Sequence, residues 1–405
     1  MAATAKQYVM DYLRVIASRM LRLRKHCDMK NLEYVDAMRG IAILMVIVVH
    51  TAQTVQGISY AWIPLAKYGQ MGVQLFFVAS AYTLCLTFLR RKGEPRHIVS
   101  FFIRRFFRIA PLYYVAITLY FVVNLLRHLR LGAGDLTYPY SVFNIFSNVV
   151  FIHGFVPSAN NNIVPGGWSI GTEMAFYLCF PILFAWFARL NAISPKMLLG
   201  ATLLCLGLNL AIQMIMAFFL RSSIENNTFL YFNFVNQLPV FLLGMAIFFF
   251  HKDDNYPRFV TYIPLQIVGF VLCTACVLVL WKLKASLAFA VMPTIAGMSF
   301  VFLLNLLRVI SNHSTVLRAI GRLSYSMYIF HFVFAWYIVP VAIKIIHPQL
   351  SPDLIFLSSF VLVVGFSFAV AVVTERHVEA KGIALGNAIL AWLHARYRPS
   401  AASIK

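Results

Sequence analysis

A carboxylate stands inside one of the long apolar stretches of this 405-residue chain, which has only 13 acidic residues. Glu173 lies in the segment WSIGTEMAFY, where Ser169 precedes it by four positions and Tyr177 follows it by four. Residues four apart lie on one side of an α-helix, so the three side chains would form one polar face. An ionisable group at membrane depth normally faces a protein interior or a water-filled cavity, which makes Glu173 a candidate functional residue near the outer end of its helix. The alternative is a carboxylate that holds helices together through Trp or Tyr partners.

A histidine and an arginine share another apolar stretch, VDAMRGIAILMVIVVH. Arg39 and His50 are eleven positions apart, so helical geometry turns one only about 20° from the other and separates them by about 16 Å. The pattern predicts Arg39 at the cytoplasmic end of the helix, where it can hold an anion, and His50 close to mid-bilayer. A neutral imidazole suits a general base, which takes the proton of a hydroxyl as its oxygen attacks a carbonyl. The alternative is a buried histidine satisfied by a neighbouring backbone or hydroxyl group.

Three arginines, Arg104, Arg105 and Arg108, stand just before the next apolar stretch, in FFIRRFFRIAPLYY. Arg104 and Arg108 are one helical turn apart and would face together, presenting forked donors that suit phosphate oxygens. Anchoring by the positive-inside rule explains such a cluster without any ligand. With Arg39 on the same side of the membrane, the cluster instead favours a polyanionic cytosolic ligand.

A second intramembrane histidine lies in GRLSYSMYIFH, where Ser324, Tyr328 and His331 follow one another at i, i+4 and i+7. This spacing aligns the three side chains on a helix. The cysteines offer no comparable pattern, because five of the six lie inside apolar stretches and the pair Cys273 and Cys276 has no histidine or aspartate nearby. We therefore expect neither a disulfide framework nor a metal site, and expect the chemistry to come from the polar residues.

The elements that must position these residues are membrane-spanning helices. Hydrophobic residues make up 61% of the chain and charged residues 12%, against roughly 45–50% and 25% in soluble domains. Stretches long enough to cross about 30 Å of hydrocarbon recur ten times, which predicts an all-α polytopic membrane protein with about ten transmembrane helices. The stretches are 41–57, 70–89, 109–126, 170–188, 197–220, 235–250, 262–281, 286–307, 324–346 and 354–373. A shorter run, 141–155, predicts a re-entrant or interfacial piece.

The distribution of Lys and Arg predicts the topology. With the amino terminus inside, 27 of the 34 basic residues fall on the cytoplasmic side, so we expect both termini in the cytoplasm. The net charge of +21 then reflects topology and attraction to anionic lipid, and does not indicate nucleic acid. We expect a cytoplasmic basic amphipathic segment over 1–31, a transmembrane domain over 32–379 and a cytoplasmic tail over 380–405.

Five segments, taken in order, resemble the membrane acyltransferase 3 family, the bacterial O-acyltransferases that modify lipopolysaccharide O-antigens, peptidoglycan and other exported glycans. The resemblance covers roughly residues 32–379. The family's arginine and histidine pattern corresponds to Arg39 and His50, its tryptophan-to-glutamate motif to Trp168 and Glu173, and its arginine cluster to the three arginines above. The five segments are VDAMRGIAILMVIVVH, GQMGVQLFFVASAYTL, RRFFRIAPLYY, WSIGTEMAFYLCFP and GRLSYSMYIFH.

The resemblance implies a bacterial cytoplasmic membrane enzyme that moves an acyl group, by analogy acetyl, from cytosolic acyl-CoA to a glycan or lipid-linked glycan. No permanently bound cofactor is implied. His50 would be the base, or would relay the acyl group covalently, and Glu173 would orient the sugar or the imidazole. Arg39, Arg104, Arg105 and Arg108 would bind acyl-CoA; the acceptor side would comprise Trp168, Ser169, Tyr177, Ser324, Tyr328 and His331.

Members of the family often add a periplasmic esterase-like domain after the last span. This sequence stops without one, so the resemblance implies transfer within the membrane domain or on a partner protein. Two other classes of protein are alternatives. A transporter or glycan flippase would share the spans and the polar residues, although no internal repeat or pair of interrupted helices is evident. A noncatalytic membrane scaffold would let His50 and Glu173 vary without loss of function.

Overall fold

The ordered elements of the chain are helical throughout the part that the structure describes. This computed structural model describes residues 32–132, 136, 139–252, 261–309, 314–346 and 349–396. Ten helices within those ranges are long and apolar enough to cross a membrane, which confirms the predicted polytopic all-α fold. The predicted amphipathic segment 1–31 and residues 397–405 of the predicted tail lie outside the described ranges.

The helices are numbered α1 to α16 in chain order. They are α1 Glu33–Ala52, α2 Ile63–Gly69, α3 Gly72–Arg90, α4 His97–Leu131, α5 Val142–Val149, α6 Gly167–Ile193, α7 Pro195–Phe219, α8 Thr228–Phe232, α9 Phe234–Lys252, α10 Ile263–Leu283, α11 Ser286–Val309, α12 Thr315–Arg322, α13 Ser324–Phe332, α14 Val339–Ile346, α15 Pro352–Thr374 and α16 Ala380–Arg396. A 3₁₀ turn, His153–Phe155, precedes α6, and π-helical segments Val333–Ile338 and Glu375–Glu379 lead into α14 and α16.

The two ends of the bundle take their names from the predicted topology. The inner end is where α3 and α6 finish and α4 begins, and the outer end is where α1, α7 and α10 finish and α6 begins. Helices α1 and α3 pack antiparallel at close range, since a Cβ on Gly72 would lie 2.6 Å from the carbonyl oxygen of Ala42. In this register Arg39 reaches the middle of α3, where its Nη2 donates to Thr83 Oγ1 at 3.1 Å.

Helix α1 begins at Glu33, eight residues before the apolar stretch 41–57, and ends at Ala52. His50 therefore lies in the last turn of α1, at the outer end of the bundle, and its predicted depth in the bilayer stays a prediction. The helix begins early because its polar first turns have partners elsewhere in the fold. Glu33, for example, forms an ion pair with Arg318 on α12, so this end of the helix is folded into the bundle despite its low hydropathy.

The short run 141–155 contains helix α5 and the 3₁₀ turn. The polar residues Asn144, Ser147 and Asn148 on α5 are buried, whereas Val142 and Phe146 are exposed. An apolar face turned outward and a polar face turned inward suit a helix that lies at a membrane interface. The buried polar side chains of α5 lie next to the 3₁₀ turn that leads into α6.

Candidate active site

A cavity in the middle of the bundle collects most of the predicted site residues. It encloses about 780 Å³ of empty space, part of it open to solvent, between α1, α3, α4, α6, α13 and the segment Glu375–Glu379. We call it the central cavity. Its polar and charged lining residues are Arg39, Ser80, Arg105, Arg108, Ser169, Glu173, Tyr177, Arg322, Ser324, Tyr325, Tyr328 and Glu379.

Glu173 is held in this cavity by two hydroxyl groups that donate to the same carboxylate oxygen. Ser80 Oγ and Tyr177 OH each lie 2.5 Å from Oε1. In the part of the chain that is described, Oε2 has no hydrogen-bond partner, so it remains available to a ligand in the cavity. Tyr177 is the predicted neighbour four residues on, and Ser80 was not predicted.

The arginines divide between the central cavity and a second one at the inner end. Arg39, Arg105 and Arg108 line the central cavity. Arg105 and Arg108 also line the second space, of about 770 Å³, together with Arg91 and Arg104. We call it the inner cavity. The shared arginines connect the two cavities.

Arg104 and Arg105 differ in how they are held. The guanidinium of Arg104 is paired with Glu94 at 2.5 Å, and Arg104 does not line the central cavity. Arg105 Nη2 donates to Thr87 Oγ1 at 3.1 Å, and its Nε is buried without a partner among the described residues. A buried, partly unsatisfied guanidinium is suited to receiving an anionic ligand.

Glu173 and the arginines occupy one cavity, whereas the sequence placed them towards opposite sides of the membrane. Part of the reason is the early start of α1, which carries Arg39 inwards from the expected position at the lip. The other part is that Glu173 lies six residues after the first residue of α6, about 9 Å along the helix axis. The carboxylate therefore shares one cavity with the predicted donor-binding residues, and its predicted role on the acceptor side stays a prediction.

The two predicted histidines come together at the outer end, a contact between α1 and α13 that the sequence did not predict. The imidazole rings of His50 and His331 have centroids 5.3 Å apart, and both contact Phe332, at 4.3 Å and 4.0 Å. His331 is fully buried and His50 is half-buried. An imidazole pair enclosed by aromatic rings is sheltered from water on one side and reachable on the other.

A hydrogen bond fixes the tautomer of His331 and another favours the same tautomer for His50. His331 Nδ1 lies 2.7 Å from the carbonyl oxygen of Tyr328, and His50 Nδ1 lies 3.0 Å from the amide oxygen of Gln53. A carbonyl oxygen only accepts, so the Nδ1 of His331 carries the hydrogen and its Nε2 a lone pair, and the orientation of the Gln53 amide favours the same arrangement in His50. Within the described ranges, the Nε2 of His331 is buried without a partner. Both imidazoles are thus set to accept a proton at Nε2.

Tyr328 joins the histidine pair to the central cavity. Its ring lies 5.6 Å from the ring of His331, and the residue lines the cavity. Its hydroxyl donates to the carbonyl oxygen of Gly166 at 3.0 Å and accepts from Ser169 Oγ at 2.9 Å. Gly166 has φ of +75°, and a Cβ there would lie 2.6 Å from the Tyr328 hydroxyl, so this contact requires glycine.

Trp168 was predicted as a site residue, but its contacts differ from those of the other predicted residues. Its indole stacks on Phe232 at 4.3 Å and contacts Phe77 edge-on at 6.0 Å, and Trp168 does not line the central cavity. Its observed contacts are those of a packing residue. Ser169, Tyr177, Ser324 and Tyr328, in contrast, all line the cavity.

Sequence reasoning missed a second carboxylate in the cavity. Glu379 accepts a hydrogen bond from Ser326 Oγ, which in turn accepts one from Thr374 Oγ1 at 3.0 Å. Glu379 is buried and comes from the π-helical segment after α15. The available signal was its place in TERHVEA, directly after the last apolar stretch, in a chain with few acidic residues.

His153 positions the start of α6, and with it Ser169 and Glu173. Its Nε2 donates to the carbonyl oxygen of Gly167 at 3.0 Å, and the residue is fully buried in the segment before the helix. Burial lowers the pKa of His153 from 6.5 to about 4, because desolvation disfavours the charged imidazolium. The neutral form is therefore part of the folded structure at neutral pH.

Comparison with known proteins finds a family and two groups of relatives. A family model described as an acyltransferase domain matches residues 32–376. A peptidoglycan O-acetyltransferase OatA from Listeria monocytogenes is 31% identical over 180 residues, which cover 42% of this chain and 26% of that protein. An O-acetyltransferase OatA from Staphylococcus aureus is 24% identical over 374 residues, which cover 82% of this chain and 56% of that protein.

This chain thus spans about half the length of the Staphylococcus relative that it matches, and about a quarter of the Listeria one. No solved structure matches the chain.

Proposed function

The chain belongs to the acyltransferase 3 family, and from that membership we propose that it is a membrane O-acetyltransferase. It transfers an acetyl group from cytosolic acetyl-CoA to a hydroxyl of a cell-surface glycan, such as a lipopolysaccharide O-antigen or an exopolysaccharide. The membrane is the bacterial cytoplasmic membrane. The names of the relatives support O-acetyl transfer, and the sequence resemblance supports the donor and the class of acceptor.

The observation that carries this proposal is the order of the polar groups along the bundle. Arg104, Arg105 and Arg108 line the inner cavity, and the latter two continue into the central cavity. Tyr328 then connects the central cavity to the histidine pair at the outer end. This order suits a long, anionic donor that enters from the inner end and reaches the outer end with its thioester.

The phosphates of acetyl-CoA bind at the inner arginines, where forked guanidinium donors match phosphate oxygens. The pantetheine arm then extends through the central cavity. Arg39 and His50 are separated by about 16 Å along α1, a span that an extended pantetheine arm can bridge. Oε2 of Glu173, left without a partner among the described residues, accepts a hydrogen bond from an amide N–H of that arm.

The reaction takes place at His50. Its Nε2 removes the proton of the acceptor hydroxyl while the hydroxyl oxygen attacks the thioester carbonyl carbon. The tetrahedral intermediate collapses, the carbon–sulfur bond breaks, and the imidazolium returns the proton to the CoA thiolate. The products are the O-acetyl ester and free CoA. Gln53 keeps the Nδ1–H tautomer in place during both proton transfers.

The test compares surface glycans by mass from cells that carry the gene, cells that lack it, and cells that express His50→Ala. We expect the mass of one acetyl group per modified unit only with the unsubstituted protein. His394→Ala is the matched control, because His394 lies on α16 at 3.1 Å from Ser100, away from the outer end. Glycans that are equally acetylated in the His50→Ala cells would exclude the proposed base. Movement of unmodified glycan to the surface that depends on the gene, without any acetylation, would instead favour a transporter.

A further inference from the structure

A separate polar cleft opens at the outer ends of α7, α10 and α11. It is lined by Glu225, Asn226, Trp281, Lys284 and Phe289 and encloses about 690 Å³, part of it open to solvent. None of these residues lines the central cavity. We call this space the outer cleft, and no step of the proposed reaction uses it.

Basic residues are concentrated around the outer cleft, although that side of the protein has few of them. Only seven of the 34 Lys and Arg fall outside the predicted cytoplasmic segments, and Lys67, Lys282 and Lys284 are three of the seven. Lys67 Nζ lies 3.1 Å from the centroid of the Trp281 ring. The positive-inside rule explains basic residues at the inner end but not a group at the outer end. The three lysines therefore indicate a site that binds a negatively charged ligand.

The walls of the outer cleft are tied together. Glu225 Oε2 accepts a hydrogen bond from Ser286 Oγ at 2.7 Å, and the same hydroxyl accepts from the backbone N–H of Ile224 at 3.1 Å. These bonds join the segment after α7 to the first turn of α11. The hydrogen bond from Ser286 also lowers the pKa of the Glu225 carboxyl, so the carboxylate is charged at neutral pH.

The chemistry of the lining resembles a carbohydrate site more than a lipid site. A carboxylate and an amide, Glu225 and Asn226, supply acceptors and donors for sugar hydroxyls. Trp281 and Phe289 supply aromatic surface on which the apolar face of a sugar ring can pack. The lysines add attraction for an anion. A lipid phosphate would need the cations alone, and it would leave the amide of Asn226 and the aromatic surface of Trp281 and Phe289 unused.

The outer cleft lies close to the histidine pair. Helix α2 packs against the last turns of α1, since a Cβ on Gly69 would lie 2.6 Å from the carbonyl oxygen of Met45 and 3.4 Å from Val49. Lys67, on the same short helix, reaches Trp281 on α10. Helix α2 therefore lies between the outer half of α1, which carries His50, and Trp281 of the outer cleft, and a helix with its side chains is about 10–12 Å across. A sugar chain that reaches from the cleft to His50 must span at least that distance.

We propose that the outer cleft is an acceptor subsite for an anionic glycan, a sugar chain that carries carboxylate or phosphate groups. It holds the glycan a few units away from the hydroxyl that is acetylated at His50. This inference rests on the proposed function for its biological meaning, but binding at the cleft is measurable without turnover.

The test measures glycan binding to the purified full chain in lipid nanodiscs of phosphatidylcholine. The probe is the surface glycan of cells that lack the gene, cleaved to short fragments and separated by ion exchange into anionic and neutral fractions. We expect the anionic fraction to bind, and Trp281→Ala and Lys284→Gln each to weaken its binding by about tenfold. Trp392→Ala is the matched control, because Trp392 also has a cation beside its ring, the guanidinium of Arg396 at 5.3 Å. An unchanged melting temperature shows that each variant is folded.

Three outcomes would overturn the inference. If Trp281→Ala binds the anionic fraction as tightly as the unsubstituted protein does, the outer cleft does not bind the glycan. If the neutral fraction binds as tightly as the anionic fraction, negative charge on the glycan does not contribute to binding. Loss of glycan binding when the nanodiscs contain phosphatidylglycerol assigns the cleft to a lipid headgroup. Transfer of acetyl from acetyl-CoA to the glycan fragments is measured in the same samples, so a failure of the proposed function, with no transfer but intact glycan binding, is distinguished from a failure of the cleft.

Discussion

Glu173 has one carboxylate oxygen occupied by two hydroxyl groups and lies in the same cavity as four arginines. Substitution by glutamine keeps the volume and the oxygen that accepts from Ser80 and Tyr177, but replaces the available acceptor Oε2 with a donor. We expect Glu173→Gln to weaken acetyl-CoA binding by about tenfold, the effect of losing one hydrogen bond to a charged group. The measurement is the dissociation constant for acetyl-CoA with the purified variant.

Glu375→Gln is the control for this substitution, because Glu375 lies one turn before Glu379 and does not line the central cavity. A purely structural Glu173 gives a different result. In that case Glu173→Gln either binds acetyl-CoA normally or melts at a lower temperature and loses donor and acceptor together. Normal acetyl-CoA affinity with reduced transfer would return Glu173 to the acceptor side, where the sequence had placed it.

At the scale of single residues, sequence spacing predicted neighbours within a helix well and neighbours between helices poorly. Ser169, Glu173 and Tyr177 do share a polar face on α6, and Tyr328 and His331 lie together on α13. Ser80 and Glu379 reach the central cavity from helices distant in sequence, and a single sequence carries no signal for such contacts. Trp168, conspicuous in its motif, packs against Phe232 instead.

At the scale of helices, α4 offers an internal comparison between three arginines. Arg105 and Arg108 line both cavities, whereas Arg104 lines only the inner one and is already paired with Glu94. Lysine keeps the charge that the topology requires but loses the fork. We expect Arg105→Lys and Arg108→Lys each to weaken acetyl-CoA binding by about 1–3 kcal/mol. Arg104→Lys should have the smallest effect. If all three variants bind acetyl-CoA as tightly as the unsubstituted protein, these arginines serve only to set the membrane topology.

The start of α6 is expected to be sensitive to acid through His153. Its pKa is 6.5 in the unfolded chain and about 4 in the fold, so the stabilisation is fully present above pH 6.5. It is lost as the pH falls towards 4, because the unfolded chain takes up the proton first. The shift corresponds to about 3 kcal/mol. We expect the melting temperature in detergent to fall over this range, and His153→Gln, which still donates to Gly167, to have a shallower fall.

A melting curve for His153→Gln with the same dependence on pH as the unsubstituted protein would contradict this assignment. The buried histidines in the spans contribute equally to the pH dependence of both melting temperatures, because both proteins contain them.

Hydropathy located all ten spanning helices but misplaced one functionally important boundary. The stretch 41–57 and helix α1 at Glu33–Ala52 overlap, yet the helix starts eight residues earlier. Its polar first turns are stabilised by tertiary partners, among them Arg318 and Thr83, which a hydropathy pattern cannot include. The earlier start places Arg39 in the second turn of α1, from which it reaches the central cavity.

At the scale of the whole molecule, the proposed donor path depends on which end of the bundle faces the cytoplasm. The distribution of Lys and Arg predicts that the inner end does. Tyr60, in the connection between α1 and α2, is 90% exposed and should face the exterior, whereas Lys196 at the start of α7 should face the cytoplasm. We expect a membrane-impermeant maleimide to label Tyr60→Cys in intact cells and Lys196→Cys only after the cells are opened. The unsubstituted protein gives the background from its own cysteines, and the opposite pattern would invert the proposed path.

The most direct test of the central claim supplies donor and acceptor on opposite sides of a membrane. The purified protein is reconstituted in vesicles with its inner end outward, labelled acetyl-CoA is added outside, and surface-glycan fragments from cells lacking the gene are enclosed inside. We predict labelled O-acetyl esters on the enclosed glycan with the unsubstituted protein and none with His50→Ala, although His50→Ala still binds acetyl-CoA. Label on the glycan in the His50→Ala vesicles, or label that requires acetyl-CoA and glycan on the same side, would contradict the proposed transfer across the membrane.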